Sequence, residues 1–235
     1  MSRHGRAVTL TGPAPHALSA VRSAGPDSDA GGGMSARLAV LVSGSGSNML
    51  ALADAVDRGD VAASISVVVS DVEGAPAVGR ATARGLATAT VPFDRADRAA
   101  WEARLAETVA AHEADIVVLA GFMRILSAAF LSRWPGRVVN VHPSLLPAFR
   151  GADAVGDALA AGVRVTGVTV HLVDELVDHG PILAQEAVDV LPGDTREQLH
   201  ARLHAVEHRL LPHAVDLLAR DRVRIADGRA TILPS

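Results

Sequence analysis

The chain contains no cysteine, no tyrosine and no lysine, so all 22 of its basic side chains are arginine. Without a thiol there is no disulfide, thiolate zinc site, iron–sulfur cluster or cysteine nucleophile. Without a lysine there is no Schiff base and no Walker-type phosphate lysine, which excludes pyridoxal-phosphate enzymes and P-loop NTPases. Long apolar runs are also lacking: stretches such as Ile116 to Gly121 fall far short of the roughly 20 residues that cross a bilayer. Nor is there a basic block, and 26 acidic residues against 22 basic ones give a formal charge of -4. That balance argues against nucleic acid as a partner. Any chemistry falls to His, Asp, Glu, Ser, Asn or Arg, and the expected setting is cytoplasmic, with no membrane involved.

What is present is a 235-residue chain with 49% hydrophobic residues, enough to bury one large core. Residues 1 to 33, rich in Gly, Ala, Pro and Ser, read as a disordered N-terminal tail; the functional start is Met1 or Met34. Residues 34 to 235 read as one domain. Short β-branched runs at Leu38 to Val42, Ser64 to Val69, Ala87 to Val91, Asp115 to Leu119 and Arg137 to Val141 predict strands. Between them, helical spacing predicts helices at Asn48 to Arg58, Pro76 to Ala83, Arg98 to His112 and Ala128 to Arg133, with Gly85 and Gly136 as stops. Alternation of this kind means α/β: a single doubly wound, mainly parallel, Rossmann-like sheet with its ligand crevice at the carboxyl ends of the strands.

The second half changes character. Thr166 to Val173 and Ile182 to Val190 predict two strands joined by an acidic loop, Asp174 to Gly180, and so an antiparallel edge. A helix is expected from Asp194, with its side chain capping the amide of Glu197, through Leu199, Leu203, Val206 and Leu210. Pro212 is expected to kink or end it. A strand at Arg222 to Ile225, turned by Asp227-Gly228, is expected to close the chain as an edge hairpin.

Two motifs carry chemistry. The first strand runs into Ser43-Gly44-Ser45-Gly46-Ser47-Asn48, and a glycine turn at a helix start presents free amides to a phosphate. One phosphate fits better than a pyrophosphate, because the third glycine of the dinucleotide fingerprint falls at Met49. A plain turn capped by Ser47 or Asn48 is the competing interpretation. In Asn140-Val141-His142-Pro143, strand alternation puts the Asn amide and the His imidazole on one face, and Pro143 ends the strand. An amide donor beside an imidazole suits acyl-type transfer, one stabilising an oxyanion and the other moving protons. Structural hydrogen bonding to nearby loops is the alternative. With no serine elbow, direct attack by a substrate nucleophile is expected, and Asp174, Glu175 or Asp178 is the candidate to orient His142. His200, His204 and His208 recur at helical spacing; without an acidic HExxH pattern they read as a polar helix face rather than a metal site.

Taken together, SGSGSN after the first strand, AGFMRILS at Ala120 to Ser127, NVHPSLLPAF at Asn140 to Phe149 and GVTVHLVDELVDHGPILAQ at Gly167 to Gln185 resemble the phosphoribosylglycinamide formyltransferase family, from about Leu38 to Leu218. The resemblance implies transfer of the formyl group of 10-formyltetrahydrofolate, a co-substrate, to the amine of glycinamide ribonucleotide in de novo purine biosynthesis, without a metal. It implies Asn140, His142 and Asp178 as catalytic residues, and Gly46, Ser47, Asn48, His204, Ala205, Val206 and Glu207 as ribonucleotide contacts. Arg98, Met123, Arg124, Ile125, Leu126 and Asn140, with the loop Asp174, Glu175, Leu176, Val177 and Asp178, are implied as folate contacts. The chain departs from the family after SLLPAF, where Pro-Gly-x-His is replaced by Arg150, Gly151, Ala152 and Asp153. Asp153 is therefore expected near Asp178, where a second carboxylate would disturb the trio, unless it pairs with an Arg such as Arg150.

Relatives that formylate initiator tRNA share the trio but add a further domain and a basic surface; formyltetrahydrofolate hydrolases share it behind a regulatory domain. Hydrolysis and a phosphate-binding nucleotide sensor are the competing functions. Partners are expected to be small molecules, with the protein a monomer or homodimer.

Overall fold

The computed structural model describes residues 35–234, so the expected tail and the choice between Met1 and Met34 lie outside the described residues. The first half builds β1 (Ala36–Val42), α1 (Ser47–Asp57), β2 (Ala63–Ser70), α2 (Pro76–Ala83), β3 (Thr88–Thr90), α3 (Arg98–Ala111), β4 (Ile116–Leu119), α4 (Ala128–Leu131) and β5 (Val138–His142). The second half adds α5 (Ala154–Ala160), β6 (Val165–Leu172), β7 (Ile182–Asp189), α6 (Arg196–Ala219), β8 (Val223–Ala226) and β9 (Arg229–Ile232). Seven strands form one sheet in the order β3-β2-β1-β4-β5-β6-β7. The first five are parallel, while β6 runs antiparallel to both β5 and β7.

The central strands read as continuous apolar runs because both faces are covered. Alternate residues of one run feed two cores. Leu38, Val40 and Val42 of β1 join Val139 and Val141 of β5 under Leu199, Leu203 and Leu211 of α6. Ala39 and Leu41 join Val138 beneath Trp101 and Leu105 of α3 and Phe130 of α4. The odd-even split of β5 thereby leaves Asn140 and His142 on the α3 side, where apolar cover is incomplete.

Five features differ from or refine the expectations. The last long helix is capped by Thr195, whose side chain accepts from Gln198 N–H while Gln198 reciprocates, and not by Asp194. Asp194 instead accepts from Leu191 N–H and pairs with Arg202. Of the two outcomes expected at Pro212, a kink or an end, the helix does not end there but continues to Ala219. One helical hydrogen bond is missing there, and the burial of Leu210, Leu211, Ala214 and Val215 around it holds the run together. The terminal hairpin forms as expected at Asp227-Gly228, but β8 and β9 make a separate two-stranded sheet rather than an edge of the main one. Finally, α5 has no counterpart in the expectations, and α4 is a single turn ending at Leu131.

Candidate active site

Strand order reverses beside β1, between β2 on one side and β4 on the other, and ligands of doubly wound sheets lodge at such a point. The loops leaving β1 and β4 meet here: Ser43 N–H donates to the Gly121 carbonyl at 3.2 Å. In the first loop Gly46 is the N-cap of α1 with φ 78°, and no side chain caps the helix. The capped-turn reading through Ser47 or Asn48 therefore fails, and the N-terminal amides keep their capacity for an anion. A Cβ on Gly46 would stand 2.6 Å from the Ala77 Cβ, so α2 as well as the left-handed backbone requires glycine.

Asn48 turns inward instead. Its Nδ2 donates to Glu207 Oε2 at 2.7 Å, joining α1 to α6, while its buried Oδ1 has no partner. Burial pushes the Glu207 carboxyl above its ordinary value, and the Asn48 amide with the nearby imidazoles of His200, His208 and His142 only partly offsets this. His204 Nε2 lies 3.8 Å from Glu207 Oε2, whereas Val206 is buried and Ala205 exposed. The rings of His200 and His204 are 4.0 Å apart and those of His204 and His208 5.8 Å apart. Burial is the first cause depressing all three imidazoles, which favours neutral rings. Among the described residues no group of three or more His, Cys, Asp or Glu is arranged to hold a metal.

The direction change at β6 builds the second cluster. Antiparallel register sets His171 opposite Asn140 and Thr169 opposite His142. His171 Nδ1–H donates to the Leu172 carbonyl at 2.9 Å, and its Nε2 lies 3.2 Å from Asn140 Nδ2. His142 Nε2–H donates to the Phe149 carbonyl at 2.8 Å. Its Nδ1 then faces Asp178 Oδ2 at 3.4 Å, and Asp178 Oδ1 lies 3.7 Å from His171 Nε2. Both residues that meet His142 are left-handed, Phe149 with φ 52° and Asp178 with φ 47°. That conformation is uncommon outside glycine and concentrates at functional sites. Burial disfavours the Asp178 carboxylate, but His171, the Gly151 amide at 2.8 Å and the charge of His142 outweigh it and hold the group below the ordinary Asp value.

Of the three acidic candidates only Asp178 reaches His142. Asp174 accepts from Leu176 N–H and pairs with His179 at 2.7 Å, and Glu175 is exposed. Asp153 caps α5 through Gly156 N–H and pairs with Arg196 at 2.6 Å. The ion pair foreseen for it exists, with Arg196 rather than Arg150 as partner, and it lowers the Asp153 carboxyl together with the Gly156 amide.

The stretch after β4 presents Met123 and Ile125 outward, 68% and 58% exposed, while its backbone is tied from behind. Met123 N–H donates to Ser43 Oγ at 2.9 Å, Arg98 Nη2 to the Ile125 carbonyl at 2.6 Å, and Ser127 N–H to the buried Glu102 at 2.8 Å. Leu126 is buried, and Arg124 pairs with Asp71 at 2.6 Å. Leu176 and Val177, on the loop that carries Asp178, are likewise exposed. Apolar side chains held in water beside open backbone suit a flat, partly polar ring system. His171, Asp71 and Glu102 belong to this site and were not singled out from the sequence. For His171 and Asp71 the available signal was a lone polar residue inside or at the end of an apolar strand; Glu102 lies on α3 and had no such signal.

The profile of the formyl transferase family matches residues 36–215. A phosphoribosylglycinamide formyltransferase of Mycobacterium tuberculosis is 49% identical over 203 residues, covering 84% of this chain and 91% of its own. The crystal structure of glycinamide ribonucleotide transformylase 1 from Symbiobacterium toebii superposes with a TM-score of 0.82 at 44% identity, over 85% of this chain and 94% of that one. A formyltetrahydrofolate deformylase from Pseudomonas syringae has a TM-score of 0.81 at 27% identity, over 86% of this chain and 67% of that one.

Proposed function

Because the chain belongs to the formyl transferase family, and within it to the phosphoribosylglycinamide formyltransferases, we propose that it moves the formyl group of 10-formyltetrahydrofolate to the amine of glycinamide ribonucleotide in de novo purine synthesis. The carrying observation is the Asp178 carboxylate 3.4 Å from His142, with Asn140 on the same strand face. The domain is residues 34 to 235, and a cytoplasmic setting follows from soluble substrates. No described helix is long and apolar enough to cross a membrane.

The acceptor phosphate binds the amides of Gly46, Ser47 and Asn48 at the positive end of α1. Its sugar hydroxyls donate to the unpartnered Asn48 Oδ1 and to Glu207, with His204 beside them. The folate ring lies along the backbone of Met123 to Leu126, under Leu176 and Val177. Substrate amine attacks the formyl carbon directly, and the new C–N bond forms before the old one breaks. Asn140 Nδ2, which has a second N–H beyond the one aimed at His171, and His142 Nδ1–H stabilise the oxyanion. Asp178 balances the imidazolium and helps carry the amine proton to the departing nitrogen.

Similarity to the deformylase keeps hydrolysis as the second reading, in which water replaces the amine. A phosphate sensor would need the loop but not the trio. Incubation with isotopically labelled 10-formyltetrahydrofolate separates these readings. Label in formylglycinamide ribonucleotide is expected. Label released as formate at the same rate with and without acceptor would overturn the proposal.

A further inference from the structure

Asp71 follows β2 directly, and its side chain has 0% exposure. A buried carboxylate must have each oxygen satisfied. Oδ1 accepts from Ser43 Oγ–H at 2.6 Å and Oδ2 from Arg124 Nε–H at 2.6 Å. Ser43 opens the phosphate loop, and its own oxygen accepts the Met123 amide at 2.9 Å. Arg124 lies with its guanidinium carbon 4.0 Å above the Phe93 ring, and Phe93 N–H returns to the Asp71 carbonyl at 2.9 Å. One carboxylate thus joins the loop after β1 to the stretch after β4, at the point where strand order reverses.

We propose that Asp71 is a positioning residue that fixes the phosphate loop and the folate-reading stretch relative to each other, so that both substrates arrive in register. The inference rests on the folate and phosphate reading above. It assigns Asp71 no contact with the reacting atoms. Asparagine has the same shape but one acceptor oxygen where the carboxylate has two, so it leaves either the Ser43 hydroxyl or the Arg124 guanidinium without its acceptor. Breaking this link displaces both loops. Breaking a tie that touches only the folate stretch, such as Glu102 to Ser127, displaces one.

The test measures Michaelis constants for both substrates, turnover and melting temperature in the full chain for Asp71→Asn, Ser43→Ala, the double variant and Glu102→Gln. Hydrogen bonds to charged groups of this kind set the expectation of about a tenfold rise in both constants for Asp71→Asn and for Ser43→Ala, with turnover changed less. The double variant should be no worse than the poorer single one, because the two residues form one link. Glu102→Gln should raise the folate constant and spare that of the acceptor. Should Asp71→Asn fail to fold, Ser43→Ala alone decides by the same criterion. A lowered melting temperature with both constants within twofold of the parent would reduce Asp71 to a structural role and overturn the proposal, as would additive effects in the double variant. A parent without formyl transfer would defeat the functional reading instead, and titration with tetrahydrofolate would still score Asp71: weaker binding in Asp71→Asn supports it, equal binding overturns it.

Discussion

The loop after β1 and the stretch after β4 stand side by side and work in opposite ways. At Gly44–Asn48 the polar atoms are left wanting: α1 has no side-chain cap, Asn48 Oδ1 has no partner, and Glu207 is buried with its carboxyl pushed up. Along Met123–Ser127 the side chains of Ser43, Asp71, Arg98 and Glu102 tie the stretch from behind, and Met123 and Ile125 face water. On the proposed reading, one region offers unmet hydrogen bonds to a charged, hydroxylated ligand. The other offers a fixed edge and an apolar surface to a ring. Specificity in the first comes from polar groups that only the right ligand satisfies, and in the second from backbone that has been immobilised beforehand.

The largest effect belongs to the trio that both regions serve. Losing one oxyanion donor costs about 100-fold to 1,000-fold in turnover, so Asn140→Ala and His142→Ala should each fall that far with their folds intact by circular dichroism. Near-normal turnover in either would remove that residue from the mechanism. Asp178→Asn should fall comparably; turnover close to the parent's would leave no catalytic task for the carboxylate.

Next comes Glu207→Gln, which separates the two regions. The acceptor constant should rise about tenfold, as for a hydrogen bond to a charged group, with the folate constant unchanged. Stability should move the other way. An acid whose folded value is raised favours folding fully below its unfolded value and loses that contribution as pH climbs through the folded one. Melting temperature in the parent should therefore decline across this window, above the ordinary glutamate range, and the decline should be shallower in Glu207→Gln. Parallel melting curves against pH would show that the buried carboxyl is not charged at such expense.

A smaller effect is expected for Ile125→Ser. With the side chain more than half exposed, the fold loses little. The folate constant should rise a few-fold and the acceptor constant should hold. A fallen melting temperature would mean that Ile125 packs against the protein rather than awaiting a ring.

The smallest change concerns Asp153. Since it pairs with Arg196 and caps α5, Asp153→Asn and Asp153→His should lower thermal stability slightly and leave the pH–rate profile in place. A displaced profile would show that this carboxylate acts on Asp178 electrostatically despite its ion pair.

Much of this was legible in the sequence, for identifiable reasons. Apolar runs at β1, β2 and β4 and the glycine and proline punctuation placed those strands within two residues, because their burial on both faces leaves little choice of residue. Strand alternation put Asn140 and His142 together. Less legible was everything that depends on contacts far apart in the chain. Asp178 reaches His142 only through a left-handed turn, and Asp71 gains meaning only when β1, β2 and β4 are neighbours. Asp194 looked like a cap because it precedes the apolar helical face, but Arg202, eight residues along, draws its carboxylate away and leaves the task to Thr195. The helix α5 escaped notice because its short run of Ala and Gly has no strong apolar period.

The hydrogen bond between Asn48 and Glu207 joins residues 159 positions apart. A ribosome therefore emits Met123–Leu126 well before it emits Glu207. On the proposed reading, a chain lacking α6 cannot hold the ribonucleotide sugar in this way, so added acceptor should stabilise molecules in which the first helix and the last long one have docked. On that same reading, protection by the nucleotide in proteolysis distinguishes chains in which α1 and α6 have docked from those that lack α6.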